Sequence, residues 1–233
     1  MTQNKGYYKP EIIEKFNQAL KDAAADVKSG KETRVRISNS NSKMGAVTSV
    51  STLPFITCPA RCAGTCGAKC YAAKLANLRP AVLRSYAINT ALAMYNPGIY
   101  WTQVNAAICA SRFFRFHVSG DIMNTDYFNH MIDAARNNPK SEILCFTKRF
   151  EIVNRWISEN GELPENLHVL YSGWSNLIPA NPYNLPETNV IPRGADSFPD
   201  NWKLCGGTCF TCACRGVGCW QAVPGDIVAF KEH

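Results

Sequence analysis

The sequence predicts an α/β protein whose parallel strands and helices form a partial or closed β/α barrel of the TIM type, with cysteine-rich loops that bind a metal cluster. Three observations lead to this fold class. Apolar strand-like segments alternate with helical segments between residues 113 and 175. Polar residues follow each of those strand-like segments. Most of the 11 cysteines lie in two groups on either side of this region.

The alternation of strand and helix is clearest in the middle of the chain. Residues 113–121, 141–149 and 165–175 each place a short apolar run before polar residues, as buried strands do. Residues 125–139 and 151–161, which lie between them, have the apolar spacing of amphipathic helices. Apolar strands that alternate with helices are typical of parallel sheets joined by right-handed crossovers. This order therefore favours a barrel over an open doubly wound sheet.

The flanking regions extend the same pattern. A helical stretch interrupted at Pro80 covers residues 74–95, and a second helical run continues to Ala110. The stretch 178–201 is rich in Pro and Asn and is predicted to be a loop. Further strands are expected at 33–40, 46–51 and 226–233.

Length and composition indicate one folded unit. The 233 residues are enough for one sizeable core, and a hydrophobic fraction of 46% is ordinary for a globular chain. We therefore expect a single β/α domain over residues 1–233. It would carry an N-terminal extension at about 1–35 and a cysteine-rich C-terminal segment at 203–220.

Charge and hydropathy restrict the partners. Lys and Arg outnumber Asp and Glu by 25 to 18, but no segment has the dense basic run of a nucleic-acid-binding stripe. The charge therefore allows a nucleic-acid partner without indicating one. No apolar run reaches the roughly 18–20 residues that span a bilayer, and the first residues lack the apolar core of a signal peptide. We expect a cytoplasmic protein with no membrane partner.

The cysteines divide into two groups and two isolated residues. The first cysteine group is Cys58, Cys62, Cys66 and Cys70, and the second cysteine group is Cys205, Cys209, Cys212, Cys214 and Cys219. A reducing cytoplasm disfavours disulfides, so clustered thiols are expected to bind metal or to act in redox chemistry. Cys109 and Cys145 stand apart in apolar segments and are expected in the core.

The spacing favours an iron–sulfur cluster. The first cysteine group lacks the C-x2-C pair of zinc knuckles, and Pro59, Gly64 and Gly67 favour a loop over a continuous helix. A tight loop of thiols with a remote further ligand is typical of iron–sulfur sites. We expect one or two 4Fe-4S clusters, with zinc as the alternative; the sequence leaves open whether the groups share a site. The expected ligands are Cys58, Cys62, Cys66, Cys70, Cys205, Cys209, Cys212 and Cys219.

Polar residues after the strands are further candidates. The C-terminal ends of parallel strands meet at one edge of a sheet, so these side chains should lie near a single site. Each also has a structural explanation, because such residues cap helices or solvate loops. The candidates are Ser119, Asp121, Thr147, Lys148, Arg149, Ser172 and Trp174.

Several separated motifs resemble the phage gene product 88 family. In order along the chain they are NSKMG (41–45), TCP (57–59), CYA (70–72), RFHVSGD (115–121), FTKR (146–149) and CW (219–220). The resemblance implies a phage-encoded or prophage-encoded cytoplasmic protein of the host cell, in which cysteines matching Cys58, Cys66, Cys70 and Cys219 recur. The additional Cys62 and the spread of the last cysteines leave the rest of the ligand set open.

A fainter resemblance is to radical S-adenosylmethionine enzymes. In that family a three-cysteine loop follows an early strand of a partial β/α barrel, and a Gly-Gly-Glu element holds the amine of the cofactor. The C-x3-C-x3-C spacing from residue 58 to 66 is close to their C-x3-C-x2-C loop without matching it. Ser119, Gly120 and Asp121 are a loose counterpart of the Gly-Gly-Glu element, so the resemblance implies that they would contact S-adenosylmethionine.

Three functions follow from these observations. The first is an iron–sulfur protein of unassigned reaction, with a redox partner or a host protein as its counterpart. The second is a radical S-adenosylmethionine-like enzyme. The third is a zinc-stabilised module that binds nucleic acid or a host protein.

Overall fold

The computed structural model describes residues 6–195 and 197–232. Its helices are α1 (Pro10–Lys28), α2 (Tyr71–Leu78), α3 (Pro80–Tyr95), α4 (Pro97–Cys109), α5 (Thr125–Asn137), α6 (Phe150–Asn160) and α7 (Cys209–Arg215). Its strands are β1 (Ile37–Ser38), β2 (Thr48–Val50), β3 (Phe113–Phe116), β4 (Glu142–Thr147), β5 (Leu167–Ser172), β6 (Glu187–Ile191), β7 (Trp202–Leu204) and β8 (Ile227–Lys231).

The strands form one mixed sheet in the order β1-β2-β3-β4-β5-β6-β8-β7. β1 is antiparallel to β2, and the other neighbouring pairs are parallel. From β2 to β6 the neighbours follow chain order, whereas a doubly wound sheet reverses its order at a switch point. Within the described residues, β1 and β7 lie at opposite edges, so the sheet is not closed. The α/β class is therefore confirmed.

Side-chain alternation gives the sheet two apolar faces. On β3, Phe114 and Phe116 are fully buried in the main core beneath the helices. Phe113, one residue out of phase, packs on the opposite face with Ala213 and Trp220 of the C-terminal segment. Helices therefore cover one face, and the cysteine-rich segment covers the other.

The N-terminal helix belongs to the main core. α1 packs along α3. Its Phe16 is completely buried, and its Ala23 and Val27 are also buried in the main core. Its apolar residues recur at helical spacing, which places them on one side of the helix.

Two sequence predictions were wrong in detail. The predicted loop at 178–201 contains β6, a short strand bounded by Pro186 and Pro192 that pairs with β5 and β8. Cys145 is buried as expected, but Cys109 is exposed, because the last turn of α4 directs Ile108 rather than its neighbour into the core. None of the described helices is both long enough and apolar enough to cross a membrane.

Candidate metal centre

The first cysteine group lies on the loop that follows the C-terminal end of β2. This loop contains two single-turn 3-10 helices, Ala60–Cys62 and Gly67–Lys69. The sequence prediction of a loop rather than one continuous helix is therefore confirmed. Gly67 allows the close approach of the two turns, because a Cβ at this position would lie 2.6 Å from the carbonyl oxygen of Cys62.

Contacts from the ends of two other strands hold this loop. Arg149, which follows β4, donates from Nη2 to the carbonyl oxygen of Thr57 at 3.2 Å. Asn176, which follows β5, donates from Nδ2 to the carbonyl oxygen of Gly64 at 2.8 Å. The cysteine loop is therefore attached to the C-terminal edge of the parallel sheet.

The thiols of the first cysteine group interact in sequence along the loop. The adjacent Cys58 thiol raises the pKa of Cys62 to about 12, and interaction with Cys62 and burial raise the pKa of Cys66. Burial, with a smaller contribution from Cys66, raises the pKa of Cys70 to about 11. The sulfur of Cys70 also accepts a hydrogen bond from the backbone N of Ala73 at 3.4 Å, as the N-cap of α2. Three thiols therefore interact directly, and the fourth caps a helix beside them.

Asp121 connects the ends of β3 and β4. Its carboxylate accepts hydrogen bonds from Thr147 Oγ1 at 2.6 Å, from the backbone N of Ile122 at 2.8 Å and from the backbone N of Lys148 at 2.9 Å. Burial raises the pKa of this carboxyl group, while the hydrogen bonds and the Lys148 charge oppose that rise. These bonds occupy both carboxylate oxygens of Asp121.

Ser119 and Gly120 pack against the residues that precede the first cysteine group. Ser119 donates from Oγ to the carbonyl oxygen of Thr52 at 2.9 Å. A Cβ on Gly120 would lie 2.0 Å from Thr52 Oγ1 and 2.6 Å from Thr57 Oγ1. These contacts fix the turn after β3 structurally, and binding of S-adenosylmethionine by Ser119, Gly120 and Asp121 stays a prediction.

Lys148 provides a positive charge beside the first cysteine group. It is 8% exposed, and its Nζ donates to Ser172 Oγ at 2.6 Å. Its charge lowers the pKa of Cys62, Cys66 and Cys70 against the effects that raise it. Lys148 therefore lies beside the first cysteine group, and Arg149 holds the loop that carries it, whereas Trp174 lies in a turn closed by pairing with residue 177.

The second cysteine group lies on the opposite face of the sheet from the helical core. Cys205 follows β7, Cys209, Cys212 and Cys214 lie on α7, and Cys219 lies in the 3-10 helix Gly218–Gln221. Thr208 caps the first turn of α7 through its hydroxyl, and Gly216 ends the helix with a φ of 60°. Trp220 Nε1 donates to the carbonyl oxygen of Cys209 at 3.0 Å and holds the two parts together.

Four members of the second cysteine group, at positions 205, 209, 212 and 219, pack against the same apolar cluster. Burial, with contributions from Cys205 and Cys209, raises the pKa of Cys212. Burial raises the pKa of Cys219 to about 12, and the thiols at 205, 209 and 212 contribute to this rise. Cys214 is exposed, whereas these four are partly buried. The structure thus separates Cys214 from the thiols that were expected to bind metal.

Two residues that were not predicted as site residues lie close to the cysteines. Tyr71 is 54% exposed, and its hydroxyl donates to the carbonyl oxygen of Val118. Burial of the phenol oxygen raises the pKa of Tyr71, and cysteines of both groups contribute to this rise. Arg115, on β3, donates from Nη1 to Cys209 Sγ at 3.8 Å. The sequence signal for Arg115 is a single charge within the apolar run FFRF.

The thiols provide a suitable donor set for a soft metal. Within residues 6–195 and 197–232, no three or more Cys, His, Asp or Glu side chains have the arrangement that holds a metal ion. All 11 cysteines are free, and each group brings sulfur ligands from one short stretch of chain. Thiolates are the ligands that iron–sulfur clusters and structural zinc prefer. The predicted ligands therefore fit the chemistry of either metal, and the metal itself stays a prediction.

One comparison with known proteins gives a match. A family model described as Gene product 88 matches residues 13–215, which include the first cysteine group and all but the last member of the second. No curated protein and no solved structure matches the chain.

Proposed function

The chain belongs to the Gene product 88 family, a phage protein family, and we propose that it is an iron–sulfur protein with two cysteine-ligated centres. The observation that carries this proposal is the placement of eight free, partly or fully buried cysteines in two local groups, one on the loop after β2 and one packed on the sheet face opposite the helices. Bound iron–sulfur clusters would supply one-electron transfer, because thiolate-ligated clusters change oxidation state.

Each centre has its own ligand set in this proposal. The first is Cys58, Cys62, Cys66 and Cys70; the second is Cys205, Cys209, Cys212 and Cys219. Two centres are favoured over one shared centre because the first group lies on the loop after β2, whereas the second group packs on the sheet face opposite the helices. We further propose that the sheet is a partial barrel, with the second centre on its inner face and the first at its C-terminal edge.

The proposal is tested by metal analysis after anaerobic purification. Iron and acid-labile sulfide should be present in equal amounts, with brown thiolate-to-iron absorption and an electron paramagnetic resonance signal after reduction. Cys62→Ser should remove the first centre alone and Cys212→Ser the second alone, so each variant should keep about half of the iron. Cys214→Ser and Cys109→Ser are the matched controls, because both thiols are exposed and lie outside the proposed sets.

Two results would contradict the proposal. A colourless protein with stoichiometric zinc after anaerobic purification would replace the iron–sulfur centres with structural zinc sites. That result would favour the zinc-stabilised binding module, whose affinity for nucleic acid should then fall steeply with salt. Unchanged iron in both Cys62→Ser and Cys212→Ser would show that the ligands are not those proposed.

A second candidate, a radical S-adenosylmethionine-like enzyme, is favoured by the position of Cys70. Its sulfur accepts the backbone hydrogen bond that caps α2, so Cys58, Cys62 and Cys66 could bind a cluster whose fourth iron stays open. Such an iron would be free to coordinate the cofactor. The carboxylate of Asp121 weighs against this candidate, because groups of the protein already occupy both its oxygens.

S-adenosylmethionine distinguishes the two candidates. If the first centre has an open iron, adding S-adenosylmethionine to the reduced protein should change its electron paramagnetic resonance spectrum and yield 5′-deoxyadenosine and methionine. Cys70→Ser should then keep the first centre, whereas Cys66→Ser should lose it. An unchanged spectrum, together with loss of the centre in Cys70→Ser, would leave the four-thiolate centre as the better description.

A further inference from the structure

Arg115 carries a positive charge that no acidic side chain among the described residues balances. The residue lies within β3 and is flanked in sequence by Phe114 and Phe116, whose side chains enter the main core, so Arg115 belongs to the face opposite the helices. It takes part in none of the ion pairs between described residues. Its Nε is buried and has no hydrogen-bond partner in the described part of the chain. Arg115 is partly buried, and a charge that is partly removed from water without a counter-charge is costly, so this guanidinium is suited to bind an anion.

The neighbours of the guanidinium indicate where that anion would lie. Arg115 Nη1 points to Cys209 Sγ at 3.8 Å, and the guanidinium carbon lies 4.5 Å from the centre of the Phe146 ring. The aromatic ring holds the guanidinium plane from one side, and the second cysteine group lies on another. Arg115 also lowers the pKa of Cys219, the last thiol of that group.

We propose that Arg115 binds the metal–thiolate centre of the second cysteine group as its counter-charge and raises its reduction potential. This inference rests on the proposed function. Four thiolates around Zn²⁺ or around an oxidised 4Fe-4S core leave two net negative charges, and reduction of the cluster adds another. A fixed cation beside the sulfurs therefore stabilises the bound centre, and it stabilises the reduced form more than the oxidised form.

Arg115→Met tests the charge without removing the packing volume. In the metal-free protein the variant should unfold at the same temperature as wild type or higher, because it replaces a partly buried, unpaired charge by an apolar side chain. In the metal-loaded protein the same variant should unfold at a lower temperature than wild type. This reversal of sign is the specific readout, because a side chain with only a packing role would shift both forms in the same direction.

A redox titration gives an independent measurement. Arg115→Met should lower the midpoint potential of the second centre by at least about 59 mV, which corresponds to a tenfold change in the equilibrium constant for one-electron reduction. Arg115→Lys should keep most of the wild-type potential, and Arg112→Gln is the control beside the same strand, because Arg112 is exposed. The potential of the first centre serves as the internal reference. It can be assigned in Cys212→Ser, which should retain the first centre alone.

Failure of this inference is distinguishable from failure of the proposed function. A wild-type chain without iron, sulfide or zinc would remove the proposed function and the inference with it. A different outcome would overturn the inference alone. In it, the wild-type chain holds the second centre, and Arg115→Met leaves the potential of that centre unchanged and shifts the unfolding temperature equally in the metal-free and metal-loaded proteins. Loss of the second centre in Arg115→Met and its retention in Arg115→Lys would support the charge role.

Discussion

Replacing Gly120 by alanine is expected to destabilise the protein because the added Cβ has no room. The new carbon would lie 2.0 Å from Thr52 Oγ1 and 2.6 Å from Thr57 Oγ1, well inside van der Waals contact. The backbone adds to the cost, because Gly120 has a φ of +83°. Left-handed backbone at a non-glycine residue costs about 1 kcal/mol, and overpacking of this kind costs about 2 kcal/mol. The total is about 3 kcal/mol.

Thermal unfolding in the presence of a metal chelator measures this cost. For a chain of this size each kcal/mol lowers Tm by about 2–4 °C, so Gly120→Ala should unfold ~6–12 °C below wild type. Gly30→Ala is the matched control, because Gly30 has a similar φ of +76° but no atom lies within 4 Å of the place that an added Cβ would take. It should lower Tm by only about 2–4 °C.

A double variant separates the overlap from the backbone strain. Thr52→Ala removes the oxygen nearest to the added carbon, so Thr52→Ala/Gly120→Ala should be more stable than the sum of the single changes predicts, by about 1 kcal/mol. Equal losses in Gly120→Ala and Gly30→Ala, with strict additivity in the double variant, would refute the steric explanation.

Three further predictions concern buried polar groups. Burial, together with the nearby positive charge of Arg115, lowers the pKa of His117 to about 3, so between pH 3 and 6.5 the unfolded chain binds one more proton. The free energy of unfolding should therefore fall by about 1.4 kcal/mol for each pH unit from 6.5 down to 3. Asparagine tolerates the φ of 57° at this position, so His117→Asn should fold and should lose this pH dependence in thermal unfolding. Asp121→Asn places amide hydrogens where the carboxylate accepts bonds, and should cost about 2–4 kcal/mol in chemical unfolding, whereas Asp133→Asn on the solvent side of α5 should cost nearly nothing. Asn89→Leu should cost about 2–4 kcal/mol, because its amide bonds to backbone groups beside β1 and β2 at 2.7–2.9 Å; unchanged stability would contradict that role.

Local signals predicted most of the elements. Asn124 caps α5 by accepting from the backbone N of Tyr127 at 2.8 Å, and Gly161 ends α6 with a φ of 87°; both residue types mark helix ends in a sequence. β6 was missed because its neighbouring prolines indicate a loop, and its pairing with β5 and β8 depends on residues far away in sequence. The exposure of Cys109 was missed because α4 is apolar on most of its surface, so periodicity did not identify its solvent side.

The site was predictable as a set of residue types but not as an arrangement. The two cysteine groups and the charged residues after β4 are visible in the sequence, because thiols and strand-end polar residues form local patterns. The contact of Arg115 with Cys209 joins residues 94 positions apart. It exists because the C-terminal segment returns across the sheet face opposite the helices, and no local pattern encodes that return.

Each cysteine group has a positively charged residue beside it that is connected to β3. Within the strand, Arg115 faces the second cysteine group directly. Beyond the strand, His117 turns the chain with a positive φ, and Asp121 then binds the backbone of Lys148, whose charge acts on the first cysteine group. Because this second route passes through a buried turn, a change at Gly120 should affect the first cysteine group more than the second. If both proposed centres form, substitutions at Arg115 and at Gly120 should therefore affect them separately.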